Sequence, residues 1–103
     1  MTEYSEIRRR TPKLTNMFSA LFYQQWYEDR TANETLMLAF GQRDQEYRGR
    51  VAKEIELLLN QLHSEQEAEE YLISFDVDVD FNRDFPEGVR SWLRAAPAVL
   101  ADL

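Results

Sequence analysis

The sequence predicts an all-α protein, a compact bundle of four to five helices with one extended acidic loop before the last helix. Three observations predict it. Apolar residues recur at spacings of three and four along most of the chain, which traces one face of a helix. Gly and Pro number three each, too few for the closely spaced turns of an all-β fold. The 103 residues, 44% apolar and 13% aromatic, suffice for one core and leave no room for a second domain.

Residues 1–12 read as a flexible polar arm, basic through Arg8, Arg9 and Arg10, and residues 13–103 as the single folded domain. Leu14, Met17, Phe18, Leu21, Phe22 and Trp26 form the first helical stripe. It is bulky and aromatic, so it should supply the heart of the core. Pro12 suits the first turn of that helix. After a polar connection over 28–33, Asn33 is placed to cap a short helix carrying Leu36, Met37 and Phe40 and ending near Gly41. Tyr47, Val51, Ile55, Leu58, Leu59 and Leu62 line the clearest helix, and Arg48, Arg50, Lys53, Glu54 and Glu56 fall mostly elsewhere. Gly49 weakens its start by about 1 kcal/mol relative to Ala.

Ser64-Glu65-Gln66-Glu67 has the form of a capping box and opens a helix with Ala68, Tyr71, Leu72 and Phe75 inward. The alternation of Asp and Val from Asp76 imitates a strand. Like charge on one side and the lack of a partner strand make it an extended loop instead. The last helix begins after Pro86 or Gly88, with Val89, Trp92, Leu93, Ala96, Val99 and Leu100 inward. Pro97 should kink it or end it early.

The formal charge of −7 argues against direct nucleic-acid binding, which needs a basic surface. There is no Cys, hence no disulfide, thiolate nucleophile or thiolate metal site. The opening ten residues are polar, unlike a secretory signal, and no apolar run is long enough to span a membrane. A soluble cytoplasmic protein is the expectation. His63 is the single histidine, placed at a helix end without a visible orienting partner. There is no Gly-x-Ser-x-Gly elbow, no Gly-rich phosphate loop and little room for a substrate cleft. No enzymatic activity, catalytic residue or cofactor is therefore assigned.

The acidity is concentrated. Residues 65–87 hold nine acids and one base, a charge of −8, while the rest of the chain carries ten acids and eleven bases. Asp76, Asp78, Asp80, Asn82, Asp84 and Glu87 occupy positions 1, 3, 5, 7, 9 and 12 of a twelve-residue window, the ligand positions of a helix-loop-helix calcium site. Position 6, where such a loop turns sharply on Gly, is Phe81, and position 8 is Arg83. A calcium-responsive module stays open as an alternative, but no metal ligands are assigned. The favoured reading is a surface for a basic partner, made by Glu67, Glu70, Asp76, Asp78, Asp80, Phe81, Asp84, Phe85 and Glu87. Phe81 and Phe85 would be apolar anchors ringed by charge, unless both fold into the core. Crowded like charge costs stability, so changing Asp78, Asp80 and Asp84 to Asn should leave the fold intact or slightly firmer.

The helix Leu14-Thr-Asn-Met-Phe-Ser-Ala-Leu-Phe-Tyr-Gln-Gln-Trp resembles the opening of the CdiI-type immunity proteins of contact-dependent growth inhibition systems. That family opens on a Leu…Phe…Tyr-Phe…Asp-Trp helix. Glu54-Ile-Glu-Leu-Leu-Leu is similar to its acidic helix with paired leucines, and Ser64-Glu65-Gln66-Glu67 to its next helix start. Gly88-Val-Arg-Ser-Trp-Leu is similar to its closing Gly…Trp-Leu helix. The order matches across roughly residues 14–100. Gln25 replaces the family's Asp before Trp, and the Asp/Phe stretch over 76–85 replaces a tyrosine-rich loop. The resemblance implies a helical protein that neutralises the C-terminal toxin domain of a cognate CdiA effector, commonly a nuclease, as a heterodimer in the producing cell's cytoplasm. Phe18, Phe22, Trp26 and Trp92 would then be core residues. No membrane partner or homo-oligomer is expected. The alternative partner reading is an acidic helical adaptor, or a nucleic-acid-mimicking inhibitor of another basic protein.

Overall fold

The aromatic stripe fills the core, but not as one helix. In the computed structural model, which describes residues 4–101, α1 spans Ser5–Arg10 and α2 spans Pro12–Leu21. A 3-10 turn then covers Trp26–Glu28, followed by α3 (Ala32–Phe40), α4 (Gln45–Gln61), α5 (Glu65–Ile73), α6 (Phe81–Asp84) and α7 (Val89–Ala101). No strand occurs among the described residues. The five helices of nine residues or more make up the expected all-α bundle. The two short ones lie where an arm and a loop were expected.

Leu14, Met17, Phe18, Phe22 and Trp26 are all buried, and Leu21 is half-buried. α2 stops at Leu21, and Gln25 enters the left-handed region at φ 64°, which turns Trp26 inward from a separate element. α4 and α7 are the most closely packed pair. α2 and α1 lie against α4, and α3 and α5 against α7. The radius of gyration is 12.7 Å.

Local chemistry explains the helix starts. Thr31, not Asn33, caps α3: its hydroxyl accepts from Glu34 N at 3.1 Å, and the Glu34 carboxylate accepts from Thr31 N at 2.9 Å. Asn33 is occupied elsewhere, accepting from the Trp92 indole N–H at 2.7 Å. Asp44 caps α4 and Ser64 caps α5, through bonds to Tyr47 N and Glu67 N. α7 runs through Pro97 and four residues beyond it, so the proline does not end the helix. Pro97 removes one backbone N–H. The following turn is held by buried Leu100, whose carbonyl accepts from Arg48 at 2.8 Å.

The arm expected over residues 1–12 is helical over Ser5–Arg10 and packed, while residues 1–3 lie outside the described residues. Ile7 is buried in the core cluster. The Arg8 guanidinium sits 4.0 Å from the Phe75 ring centroid and donates to the Ser74 carbonyl and hydroxyl. Tyr4 meets Tyr71 edge-on. The segment reads as polar because Ile7 alone of the α1 residues is buried. Ile7→Ala should therefore lower stability by about 2 kcal/mol, as for a buried aliphatic truncation. Urea unfolding measures it, and an unchanged midpoint would mean that α1 does not pack.

Tyr71 is fully buried among Phe18, Phe75 and Tyr4. Its hydroxyl lies beside Thr11 and Thr15, yet those hydroxyls donate to the Ile7 and Arg8 carbonyls, and the phenol oxygen has no hydrogen-bonded partner. Burial pushes its pKa well above the ordinary 10.0. The unfolded chain therefore releases this proton first as the pH rises. The stability tied to it is complete below about pH 10 and is lost as pH climbs through the folded value. Tyr71→Phe removes an unpaired hydroxyl and should be neutral or stabilising by up to about 1 kcal/mol at neutral pH. It should also flatten the alkaline loss, read from melting temperatures above and below pH 10.

Candidate interaction surface

The acidic segment is built from three different local structures. Asp76 follows α5 in a left-handed conformation, φ 59°. Residues 77–80 form no regular element, Asp80 having extended backbone, and Val77 and Val79 pack against the core. α6 then makes a single turn.

Asp78 ties this segment to the break after α2. Its N–H donates to the Phe22 carbonyl at 3.0 Å, its carbonyl accepts from the Trp26 indole at 2.7 Å, and its carboxylate accepts from Gln25 N at 2.8 Å. The Asp/Val alternation thus marks a strand-like stretch whose partner is one loop, not a sheet. Asp80 caps α6 by accepting from Asn82 N and Arg83 N, and Asp84 closes the turn by accepting from Asp80 N. Asp84 also holds Arg83 in two contacts, at 2.8 and 2.7 Å. Those hydrogen bonds push the guanidinium pKa further up. The guanidinium lies 3.5 Å from the Tyr27 ring centroid.

The nine residues expected at the interface therefore divide. Phe85 is buried, stacked on Phe22 and edge-on to Trp92, so it is a core residue and not an anchor. Phe81 is half-buried against Phe85. Asp78, Asp80 and Asp84 are backbone caps, so neutralising them removes charge-assisted contacts instead of relieving idle repulsion. Glu70, Asp76 and Glu87 are exposed, and Glu67 is half-buried. The calcium window lacks the sharp turn at its sixth position: Phe81 is helical, and the positive φ within the window falls at its first residue, Asp76. Among the described residues no group of three or more His, Asp or Glu side chains could hold a metal ion. His63 is exposed between α4 and α5.

Other charged residues turn out to organise the molecule. Thr11 precedes α2, but its hydroxyl is turned back to donate to the Ile7 carbonyl and accepts from no N–H of the first turn. Glu54, buried on α4, does so from across the core, accepting from Lys13 N at 3.0 Å and Leu14 N at 3.1 Å. Glu65 does the same for α7, accepting from Val89 N and Arg90 N at 2.6 and 3.1 Å. The residue before α7 is Gly88, at φ 98°, where a Cβ would meet the Glu65 carboxylate at 3.1 Å. Four arginines serve helix ends: Arg30 the Leu21 carbonyl, Arg90 Leu62, Arg8 Ser74 and Arg48 Leu100. Glu54 was expected off the apolar stripe with the other charged residues of α4, but it stands three after Val51 and four before Leu58, on the stripe itself, and is buried.

No family model, curated protein or solved structure matches the chain. No helix among the described residues is long and apolar enough to cross a membrane.

Glu54→Ala should cost about 3 kcal/mol, since it leaves one buried and one part-buried backbone N–H without an acceptor. Glu54→Gln, which keeps an acceptor oxygen but not the charge facing Lys13 at 3.8 Å, should cost roughly half of that. Denaturant melts of the pair test this, and equal losses would show that the amide accepts nothing.

Proposed function

We propose that the protein is an immunity protein, one that binds and neutralises the C-terminal toxin domain of a cognate CdiA effector. A fixed acidic surface is the observation that carries this reading. Residues 65–87 bear a formal charge of −8. Glu65, Asp78, Asp80 and Asp84 are locked on backbone N–H groups, which hold their charge in place. Within the segment, the Arg83–Asp84 pair is the ion pair that cancels. Glu67, Glu69, Glu70, Asp76 and Glu87 are left wholly or partly open to solvent.

A nuclease toxin must hold phosphates, so its cleft is basic. A preformed acidic surface is complementary to such a cleft and steers encounter before contact. The resemblance in the order of motifs from residue 14 to residue 100 is what supports the family reading. The charge arrangement supplies a mechanism of inhibition by covering a basic surface. No step in this role requires chemistry by the protein itself.

The deciding experiment takes the reading frame directly upstream of this chain and expresses the C-terminal domain of its product, alone and with the protein. Growth arrest by the domain alone and rescue by the protein are expected. A domain that is harmless alone, or that kills despite the protein, overturns the reading. Glu70→Gln, Asp76→Asn and Glu87→Gln combined should slow association about tenfold at low salt and leave the melting temperature unchanged. Raising the salt should erase most of the difference from wild type, since exposed charges are screened over about 10 Å at 0.1 M.

A further inference from the structure

A groove of about 630 Å³ opens between the start of α3, the α6–α7 connection and the first turns of α7. Ala32, Phe85, Pro86, Trp92 and Ala95 give it apolar walls. Trp92 is only partly buried, and its ring is braced on two sides. The indole N–H donates to Asn33 Oδ1 at 2.7 Å, and Phe85 meets the ring edge-on at 5.2 Å. Three charged residues line the groove: Arg83, Asp84 and Glu87. The first two cancel in their two-contact pair. Glu87 is exposed and has no hydrogen bond or ion pair among the described residues. The groove thus offers a fixed aromatic wall and one uncompensated carboxylate.

That chemistry suits a cation on an apolar stem. A guanidinium suits it better than an ammonium, being planar, weakly hydrated and able to stack on an indole while a carboxylate takes its N–H groups. A neutral aliphatic side chain would leave Glu87 desolvated without a partner. We propose that this groove is the docking site for an arginine side chain of a basic protein partner, its stem against Trp92 and its guanidinium against Glu87. This deepens the immunity reading by naming a contact point, and it rests on that reading only for the partner's identity.

The test uses the full chain labelled with nitrogen-15. It has two indole N–H signals, and Trp26, fully buried and bonded to the Asp78 carbonyl, is the internal control. The probes are blocked Gly-Arg-Gly, Gly-citrulline-Gly and Gly-Leu-Gly peptides. Trp92 should shift saturably with the arginine peptide while Trp26 stays in place. Citrulline, the same size without charge, should bind at least about fivefold more weakly, as should arginine on the Glu87→Gln variant. Ala95→Arg, an exposed position in the groove, should block the shift. A stationary Trp92, an equal response to citrulline or leucine, or indifference to Glu87→Gln overturns the proposal. Against the upstream toxin domain, Ala95→Arg should weaken binding at least tenfold, and unchanged affinity overturns the groove as the contact point. If the arginine peptide binds and the toxin domain does not, the groove stands and the immunity reading falls.

Discussion

Charged side chains that reach from one helix to the unpaired backbone groups at the end of another hold this bundle together. A helix end leaves four N–H or four C=O groups unpaired, and most sequences satisfy them locally. Here α2 and α7 lack a local N-terminal cap: the Thr11 hydroxyl accepts from no first-turn N–H, and Gly88 has no side chain. Glu54 and Glu65 supply the missing acceptors from α4 and α5. Arg8, Arg30, Arg48 and Arg90 donate to the carbonyls at four helix ends. Each sign is the one favoured by the helix dipole. Most of these bonds join elements far apart in the chain, so they fix helix against helix as well as stopping fraying. Helices of nine or ten residues are marginal alone, and this arrangement lets short ones meet around an aromatic core.

The same constraint changes what the acidic segment means. Nine acids crowded into residues 65–87 look like a cost that a basic partner must offset. In the folded chain Glu65, Asp78 and Asp80 each accept from one or more backbone N–H groups, and Asp84 is paired with Arg83 as well. Their repulsion is therefore partly balanced inside the molecule. Only the acids that have no such task, Asp76 and Glu87 foremost, call for a partner. They are fewer than the charge count alone suggests, and at these positions recognition and folding can be separated by mutation.

Features that depend on neighbours along the chain were legible in the sequence. The apolar stripes of α2, α4, α5 and α7 and the Ser64 cap are of this kind. Thr31-Ala-Asn-Glu34 has the same spacing as Ser64 to Glu67, so the α3 cap was also readable, whereas Asn33 has Leu36 three residues on and no reciprocal partner. Features set by distant neighbours were hidden. Nothing in residues 5–10 announces that Arg8 meets Phe75, or that one isoleucine suffices to dock the segment. Asp78 belongs to the Gln25 turn, 53 positions away, and its alternating context points to a strand. Of the residues expected at the interface, Glu70, Asp76 and Glu87 are exposed, and those recruited as caps could not be told from them by residue type.

Trp92 shows why fold and recognition are not cleanly divided in so small a protein. Its place in Gly88-Val-Arg-Ser-Trp-Leu marks it as a core residue, and its packing on Phe85 agrees. Yet its ring remains partly open, braced by Asn33 from a helix that never needed that asparagine as a cap. An indole fixed in this way loses little entropy when something stacks on it, which is the property of a preorganised contact. A chain of this size has too little interior to bury every aromatic completely. The ring left at the seam between α3 and α7 stabilises the domain from one side and offers a rigid surface on the other, next to a carboxylate that the fold does not use.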